Sequence, residues 1–324
     1  MFNTRKILIC GSSRLPANLE KFAWTLGYRL ILNTEYQIIT GGLKERAEGI
    51  STSDFMVIDG AKKALIEKKL VPRERIITML PQADVSKVQR FKEGQIIEVQ
   101  KSNLKSRRYS MVLSCDAVIA ICGDKGTDEI IDLAWIAGKP ILPIASTAGA
   151  AERGWVKYFS DIHDILHLTK DDVEIIETKP IDIQETTNVC INIMKRVLRP
   201  LCFIAMPYHG HPLINCYEIL SSVVEKRGYA PIRIDHENFT GDIIHAIWDA
   251  IRNSEMFIAD LTLQNPNVYY ELGISHALSK KTLLIIYNKT GNVPSEIPFD
   301  IKTQRIYPYD SLLALETQIN KNLY

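Results

Sequence analysis

The stretch Met256-Phe-Ile-Ala-Asp260-Leu-Thr-Leu-Gln-Asn265-Pro-Asn-Val-Tyr-Tyr-Glu271-Leu-Gly-Ile-Ser-His-Ala-Leu278 decides how the second half of the chain is read. Met256 to Ala259 is a short apolar run that predicts a buried strand tipped by a carboxylate, Asp260. Asn265-Pro266-Asn267 follows, and Asn before a helix with Pro just inside it marks a helix start, because the first N–H groups have no intrahelical partner. The helix to Leu278 then carries a second carboxylate, Glu271, in its early turns. A strand whose carboxyl end runs into a helix is where open α/β sheets bind ligands, so both carboxylates become candidates for chemistry.

Working outward, the same alternation recurs on both sides. Leu201 to Met206 is an apolar strand stopped by Pro207, with the polar loop Tyr208 to Pro212 behind it. Apolar residues at helical spacing run from Ile214 to Arg227, where Gly228 ends the helix. Pro231 to Ile234 is a strand followed by Asp235-His236-Glu237-Asn238, and Thr240-Gly241-Asp242 opens a helix to Arg252. Thr282 to Ile286 is a further strand, and residues 298–309 supply a short final element. Strands alternating with helices predict a parallel sheet with helices on both faces, here of flavodoxin type.

The first half repeats the scheme. Lys6 to Cys10 is a strand running into Gly11-Ser12-Ser13-Arg14, and Tyr36 to Thr40 is a strand running into Gly41-Gly42. Asp116 to Cys122 is a strand running into Gly123-Asp124-Lys125-Gly126-Thr127-Asp128-Glu129, with a helix from Ile130 to Ala137. Small-residue turns let backbone N–H groups approach a phosphate at a helix N-terminus. Each turn alone is equally a tight connection; three on one sheet edge predict a nucleotide pocket. Residues 149–187 lose clear periodicity, and a helix from Thr187 to Val197 closes the first domain or packs between domains. The expected architecture is α/β, two Rossmann/flavodoxin-like parallel-sheet domains in tandem, over 1–175 and 200–324, with a linker helix in 176–199.

Composition narrows the function classes. A formal net charge of +1 gives no reason to expect nucleic acid or a membrane surface as partner. No apolar run reaches membrane length, and the apolar stretch after Met1 is too short for a signal peptide. The six cysteines form no C-x-x-C pair and sit mostly in apolar runs, so they are read as reduced thiols of a cytoplasmic protein, with no metal site expected.

Gly11-Ser-Ser-Arg14, Thr40-Gly-Gly42, Arg107-Arg108 and Gly123-x-x-Gly126-Thr127 resemble the SLOG superfamily, which includes the LOG (lysine-decarboxylase-like) phosphoribohydrolases. The resemblance implies a Rossmann-like domain for a nucleotide or a nucleotide-derived ligand, with Gly11, Ser12, Ser13, Arg14, Gly41, Gly42, Arg107, Gly123, Gly126, Thr127 and Glu129 around it. LOG enzymes place a catalytic Glu three residues after the Thr of Gly-Gly-x-Gly-Thr-x-x-Glu. Here that position is Ile130, and the second Gly is Asp124. Glu129 falls one residue early, turned by about 100° on a helix. These departures imply a sensor more than a hydrolase. As plain residues, Arg14, Arg107 and Arg108 are equally solvated charges, and Glu129 a solvated helix face.

Ile258-Ala-Asp-Leu-Thr262, Asn265-Pro-Asn-Val-Tyr-Tyr-Glu-Leu-Gly273, His276-Ala277, Phe203 to Tyr208 and Pro298-Phe-Asp300 resemble the nucleoside 2-deoxyribosyltransferase superfamily and its TIR-like relatives in bacterial conflict systems. The resemblance implies that Glu271 is the nucleophile. The acidic residue of that family six positions earlier is Asn265 here, and Asp260 is the candidate to stand in for it. Breaking an N-glycosidic bond builds positive charge on the sugar, which a carboxylate stabilises or captures as a ribosyl ester. A pyridinium leaving group, as in NAD, departs without a proton, whereas adenine or a pyrimidine needs a general acid. NAD is therefore the expected substrate, with no other cofactor. Tyr208 or Tyr269 would stack on a base and Asp242 or Asp260 would hold ribose hydroxyls, with Asn265 and Asn267 also binding substrate. Tyr269 is equally a packing residue and Asp242 equally a helix N-cap.

Three functions remain open at this point. The first, and favoured, is an effector gated by a nucleotide second messenger that cleaves NAD or a related nucleotide, as a homo-oligomer in anti-phage defence. The second is a nucleoside 2-deoxyribosyltransferase or nucleotide N-ribohydrolase in salvage. The third is a nucleotide-binding regulator without catalysis.

Overall fold

The computed structural model describes residues 4–45, 50–82, 89–99, 104–234, 243–290, 292–294 and 297–323. The chain divides into two compact units between Leu198 and Arg199. Each unit is a parallel sheet flanked by helices.

The first unit comprises β1 Lys6–Gly11, α1 Ala17–Asn33, β2 Gln37–Thr40, β3 Leu43–Glu45, α2 Ser53–Lys68, α3 Pro72–Arg75, β4 Ile76–Pro81, β5 Gln89–Arg90 and β6 Gln95–Val99. It continues with α4 Leu104–Ser114, β7 Ala117–Ile121, α5 Lys125–Ile136, β8 Ile141–Ile144, α6 Gly149–Leu166, α7 Lys170–Glu177 and α8 Ile183–Val197. The main sheet runs β6-β4-β2-β1-β7-β8, all parallel. Its central strands are buried on both faces, which is why Ile7-Leu8-Ile9 and Val118-Ile119-Ala120 read as continuous apolar runs. Helices α1 and α2 cross closely because Gly27 and Gly60 face each other's backbone. A Cβ on Gly27 would lie 1.9 Å from the Val57 carbonyl oxygen, and one on Gly60 2.0 Å from that of Trp24.

Two sequence expectations change here. Residues 149–187 are not irregular: they hold α6, α7 and the start of α8, and α8 packs on α1 within the first unit. Helix α5 begins at Lys125, not Ile130, so Gly126, Thr127 and Glu129 stand on its first turns instead of in the loop. The loop itself is Cys122 to Asp124, with Gly123 at φ +95°.

The second unit comprises β9 Leu201–Ala205, α9 Cys216–Lys226, β10 Ala230–Ile232, α10 Ile243–Asn253, β11 Met256–Asp260, α11 Pro266–Ala277, β12 Lys281–Tyr287, α12 Phe299–Lys302, β13 Ile306–Tyr309 and α13 Leu312–Asn322. Its order is β10-β9-β11-β12-β13, all parallel, which is the flavodoxin arrangement with its switch point between β9 and β11. Side chains alternate cleanly across this sheet. Cys202, Ile204, Ile258, Leu283 and Ile285 pack with α9 and α13 on one face. Phe203, Ala205, Phe257, Ala259, Leu284 and Ile286 pack with α10 and α11 on the other. Among the described residues no helix is long and apolar enough to cross a membrane.

Candidate functional site

In the first unit, the carboxyl ends of β1 and β7 part at the topological switch point, and a cavity of about 590 Å³ opens there. That volume suits a ligand of nucleotide size. Of the predicted residues, Gly11, Ser12, Ser13, Gly41, Arg107, Gly126 and Thr127 line it. Arg14, Gly42, Gly123 and Glu129 are not among its lining residues, and the Arg14 side chain is exposed.

The glycine turns have packing reasons as well. A Cβ on Gly11 would sit 2.4 Å from the Ile121 carbonyl oxygen and 2.5 Å from Ser53 Oγ. The Ser12 amide donates to Ser53 Oγ at 2.9 Å, and the Ser53 amide to the Ser12 carbonyl at 3.0 Å. The turn after β1 is thus bound to the start of α2. Thr127 donates its hydroxyl to the Gly11 carbonyl at 3.0 Å, and a Cβ on Gly123 would collide with that hydroxyl. Gly126 leaves room for the Arg108 guanidinium, which pairs with Glu129.

The charge of the cavity comes from Arg107, Arg108 and Lys125 of the quoted motifs and from Arg90 and Arg153, which the motifs did not include. Arg90, Arg107, Arg108, Lys125 and Arg153 line it, against the carboxylates of Asp54 and Asp124. Arg107 and Arg90 both donate to the Gly41 carbonyl, at 2.9 and 3.0 Å. Asp54 accepts the Leu43 amide at 3.1 Å. Burial pushes its carboxyl up, against the pull of that amide and of the Arg107 and Arg90 charges. Arg153 pairs with Asp128 at 2.7 Å. A cationic, ligand-sized cleft at a helix N-terminus suits a phosphate-bearing molecule. Asp54, Arg90 and Arg153 come from α2, β5 and α6, so no local spacing could have shown them.

In the second unit the predicted residues divide between the two faces of the sheet. Asp260, fully buried at the end of β11, turns toward α9. Its Oδ1 accepts the Thr262 amide at 3.0 Å and the Thr262 hydroxyl. Its Oδ2 accepts the Tyr309 hydroxyl at 2.5 Å and lies 3.2 Å from His211 Nε2 and 4.0 Å from Cys216 Sγ. Burial draws the His211 imidazole down, but its contacts with Asp260 and Cys216 outweigh this and raise it to about 10. Burial, then the Asp260 charge, pushes the Tyr309 phenol far up. Tyr208 lies on this side too: its ring and that of Tyr217 both stack on the Arg233 guanidinium, at 4.8 and 4.9 Å.

Glu271 comes from the opposite face. It is 6% exposed on α11, between Val268 and Leu272, which pack in the core of that face. Tyr269 is half-buried on the same helix, and its hydroxyl has no hydrogen-bond partner among the described residues. Asn265 is the N-cap of α11: its side chain accepts the Asn267 amide at 2.9 Å, and Asn267 is exposed. Asp242 lies outside the described residues. Asp260 thus makes its contacts on the α9 side, and Glu271 is carried by a helix packed on the other face. His211, Cys216 and Tyr309 beside Asp260 were missed, because three separate segments bring them in.

No protein family and no curated protein matches the chain. Among solved structures it is similar to the molybdenum cofactor binding protein of Rippkaea orientalis, at 24% identity over 44% of this chain and 76% of that one, with a TM-score of 0.34. It is similar to TM1055 at 20% identity, over 46% and 79% of the two chains, with a TM-score of 0.37. It is also similar to the CMP N-glycosidase BcmB of Clostridium botulinum, at 19% identity over 38% of this chain and 98% of that one, with a TM-score of 0.29. At these identities and TM-scores the likeness assigns no activity to this chain.

Proposed function

We propose that this protein is a nucleotide-gated N-glycosidase. The first unit binds a phosphate-bearing nucleotide signal in its cationic cavity. The second cleaves the N-glycosidic bond of NAD or a related nucleotide. The observation that carries the reading is Glu271, a carboxylate held 6% exposed inside the helix that follows β11 at the ligand-binding edge of the sheet. A shielded carboxylate there is placed to meet positive charge that develops on a sugar.

In this mechanism the sugar of the substrate sits over Glu271. As the C–N bond breaks, its electron pair leaves with the base, and the carboxylate stabilises the cationic sugar or bonds to it, after which water completes hydrolysis. Nicotinamide leaves as a neutral molecule and needs no proton, which fits an Asn at position 265 occupied with capping. Asp260 acts by fixing the tip of β11 and touches no substrate. A homo-oligomeric, cytoplasmic effector of anti-phage defence is the setting in which an NAD-consuming enzyme needs such gating. The gate requires the nucleotide to bind the active state more tightly than the silent one.

The test is chromatography of the protein incubated with NAD, with and without cyclic nucleotides and ADP-ribose derivatives, beside Glu271→Ala. Nicotinamide release that needs both a ligand and Glu271 is the expected result. Release without any ligand would overturn the gating, and base exchange between deoxynucleosides in place of NAD cleavage would make the protein a salvage enzyme. Nucleotide binding with no turnover of any of these substrates would leave only a sensor.

A further inference from the structure

Behind the α9 face of the second sheet lies a cluster that the glycosidase chemistry leaves without a role. His211 follows β9, Cys216 is the first residue of α9, Asp260 the last of β11, and Tyr309 the last of β13. Asp260, Tyr309 and Cys216 are 0%, 1% and 2% exposed, and the His211 side chain 8%. The imidazole nitrogen, the thiol sulfur and a carboxylate oxygen all lie within 4.8 Å of one another.

We propose that His211 Nε2, Cys216 Sγ and Asp260 Oδ2 bind a divalent metal ion of the zinc class, with the Tyr309 hydroxyl beside the fourth position.

Four arguments converge on this. First, ligands about 2.0–2.3 Å from a tetrahedral ion lie roughly 3.3–3.7 Å apart. Here the nitrogen-to-oxygen separation is 3.2 Å and the sulfur-to-oxygen separation 4.0 Å, with the Tyr309 oxygen 3.0 Å from the imidazole and 3.6 Å from the sulfur. The imidazole nitrogen and the sulfur lie within 4.8 Å of each other and the Tyr309 oxygen 2.5 Å from Asp260 Oδ2, so the Cys216 and Tyr309 side chains turn by about an ångström to close on an ion. Second, the outer contacts already aim the ligand atoms inward. The Thr262 amide and hydroxyl hold Asp260 Oδ1, which presents Oδ2 to the cluster. His211 Nδ1 lies 3.0 Å from the Leu213 carbonyl and 3.1 Å from the Leu213 amide; in the tautomer with the proton on Nδ1, the carbonyl accepts it and leaves Nε2 free to ligate. Third, Cys216 opens an 11-residue helix, which fixes its sulfur 3.6 Å from the Tyr309 hydroxyl and 4.0 Å from Asp260 Oδ2. Fourth, a mixed nitrogen, sulfur and oxygen set suits zinc, whereas calcium and magnesium take oxygen alone.

The burial makes this a closed, structural site, which would tie the ends of β11 and β13 to the loop after β9. It does not rest on the glycosidase reading, because Glu271 belongs to the other face of the sheet.

The test is elemental analysis of the untagged full-length protein, followed by titration of the chelator-treated protein with cobalt(II) and zinc(II). The expected result is one ion per chain, a sulfur-to-cobalt charge-transfer band in the near ultraviolet, and intense visible bands of four-coordinate cobalt. Zinc should also raise the temperature of unfolding. Cys216→Ala should remove the charge-transfer band and weaken binding at least about tenfold. Wild-type protein that takes up neither ion, or binds cobalt without the sulfur band, would overturn the proposal, and so would a band that survives in Cys216→Ala. Where Cys216→Ala does not fold, the wild-type stoichiometry and band decide alone.

Discussion

The two units reach the same topological point and treat it in opposite ways. At the carboxyl edge of the first sheet, β1 and β7 part over an open cavity whose lining carries more cations than carboxylates. At the corresponding edge of the second, the polar groups are drawn inward: Asp260 is saturated by Thr262, Tyr309 and His211, and Glu271 is buried on the far face. An exposed cationic edge recruits an anion from solution and holds it reversibly. A buried carboxylate does little for recruitment, but it is a strong partner for positive charge that develops beside it in a water-poor site. On the proposed function the first unit would be the receptor and the second the reaction centre, and each can be broken separately.

The largest separation is expected from Glu271→Gln. It should lower N-glycosidic cleavage at least ~1000-fold, the scale on which loss of a nucleophile is felt. Nucleotide affinity of the first unit, measured by calorimetry, should stay within about twofold. A variant that keeps more than a tenth of the activity would remove Glu271 from the chemistry.

Next in size is Asp260→Ala. It strips a fully buried acceptor from His211, Tyr309 and Thr262. Breaking a buried, paired group costs about 3–5 kcal/mol, to be read from denaturant unfolding. On the first edge, Gly11→Ala should cost ~1–3 kcal/mol, because its new methyl would lie 2.4 Å from the Ile121 carbonyl oxygen and the strand must shift. The same variant should weaken nucleotide binding, since the turn it displaces lines the cavity. Arg153→Ala removes only an exposed pair with Asp128, so stability should change by less than about 1 kcal/mol. Its signature should be weaker binding of a phosphate-bearing ligand and a shallower dependence of that binding on salt. Unchanged affinity at low salt would place the ligand away from α6.

How much of this was legible in the chain follows from the range of each interaction. Strands β1, β2, β7, β9, β11 and β12 are apolar runs closed by polar turns, so the centre of each sheet and its carboxyl edge could be read locally, whereas β4 and β6 at the edge of the first sheet were not read. Helix α6 carries a local signal too, since Ala151, Trp155, Tyr158, Ile162 and Leu166 recur at helical spacing, and reading 149–187 as aperiodic overlooked it; α7 gives little signal, because it buries only Ile176. The glycine motifs of the first unit were read for phosphate, yet Gly11, Gly123 and Gly126 also answer to Ser53, Thr127 and Arg108. A motif names the residue type that a site needs, and packing needs it too. Arg90 and Arg153 in the cavity, and the grouping of His211 and Cys216 with Asp260 and Tyr309, were invisible for a different reason: the segments that carry them meet only when the sheet assembles. Likewise, Asp260 and Glu271 look like a pair in sequence, but strand alternation sends Asp260 to the α9 face, while α11 packs on the other.

Asn265 gives a small and the most discriminating effect. Its side chain caps α11 through the Asn267 amide, with Pro266 behind it. Asn265→Ala should cost about 1 kcal/mol, and Asn265→Asp, which keeps the acceptor and favours the positive end of the helix, should restore that stability. If Asn265 only caps, both variants should keep nearly full cleavage of NAD. The aspartate variant has a second use. A carboxyl there supplies a proton source that a pyridinium substrate does not need and an adenine or pyrimidine leaving group does. A gain of cleavage on ordinary nucleosides in Asn265→Asp, with NAD cleavage unchanged, would show that position 265 sets the class of leaving group, whereas a collapse of NAD cleavage in Asn265→Ala to the level of Glu271→Gln would place Asn265 on the substrate and end its reading as a cap.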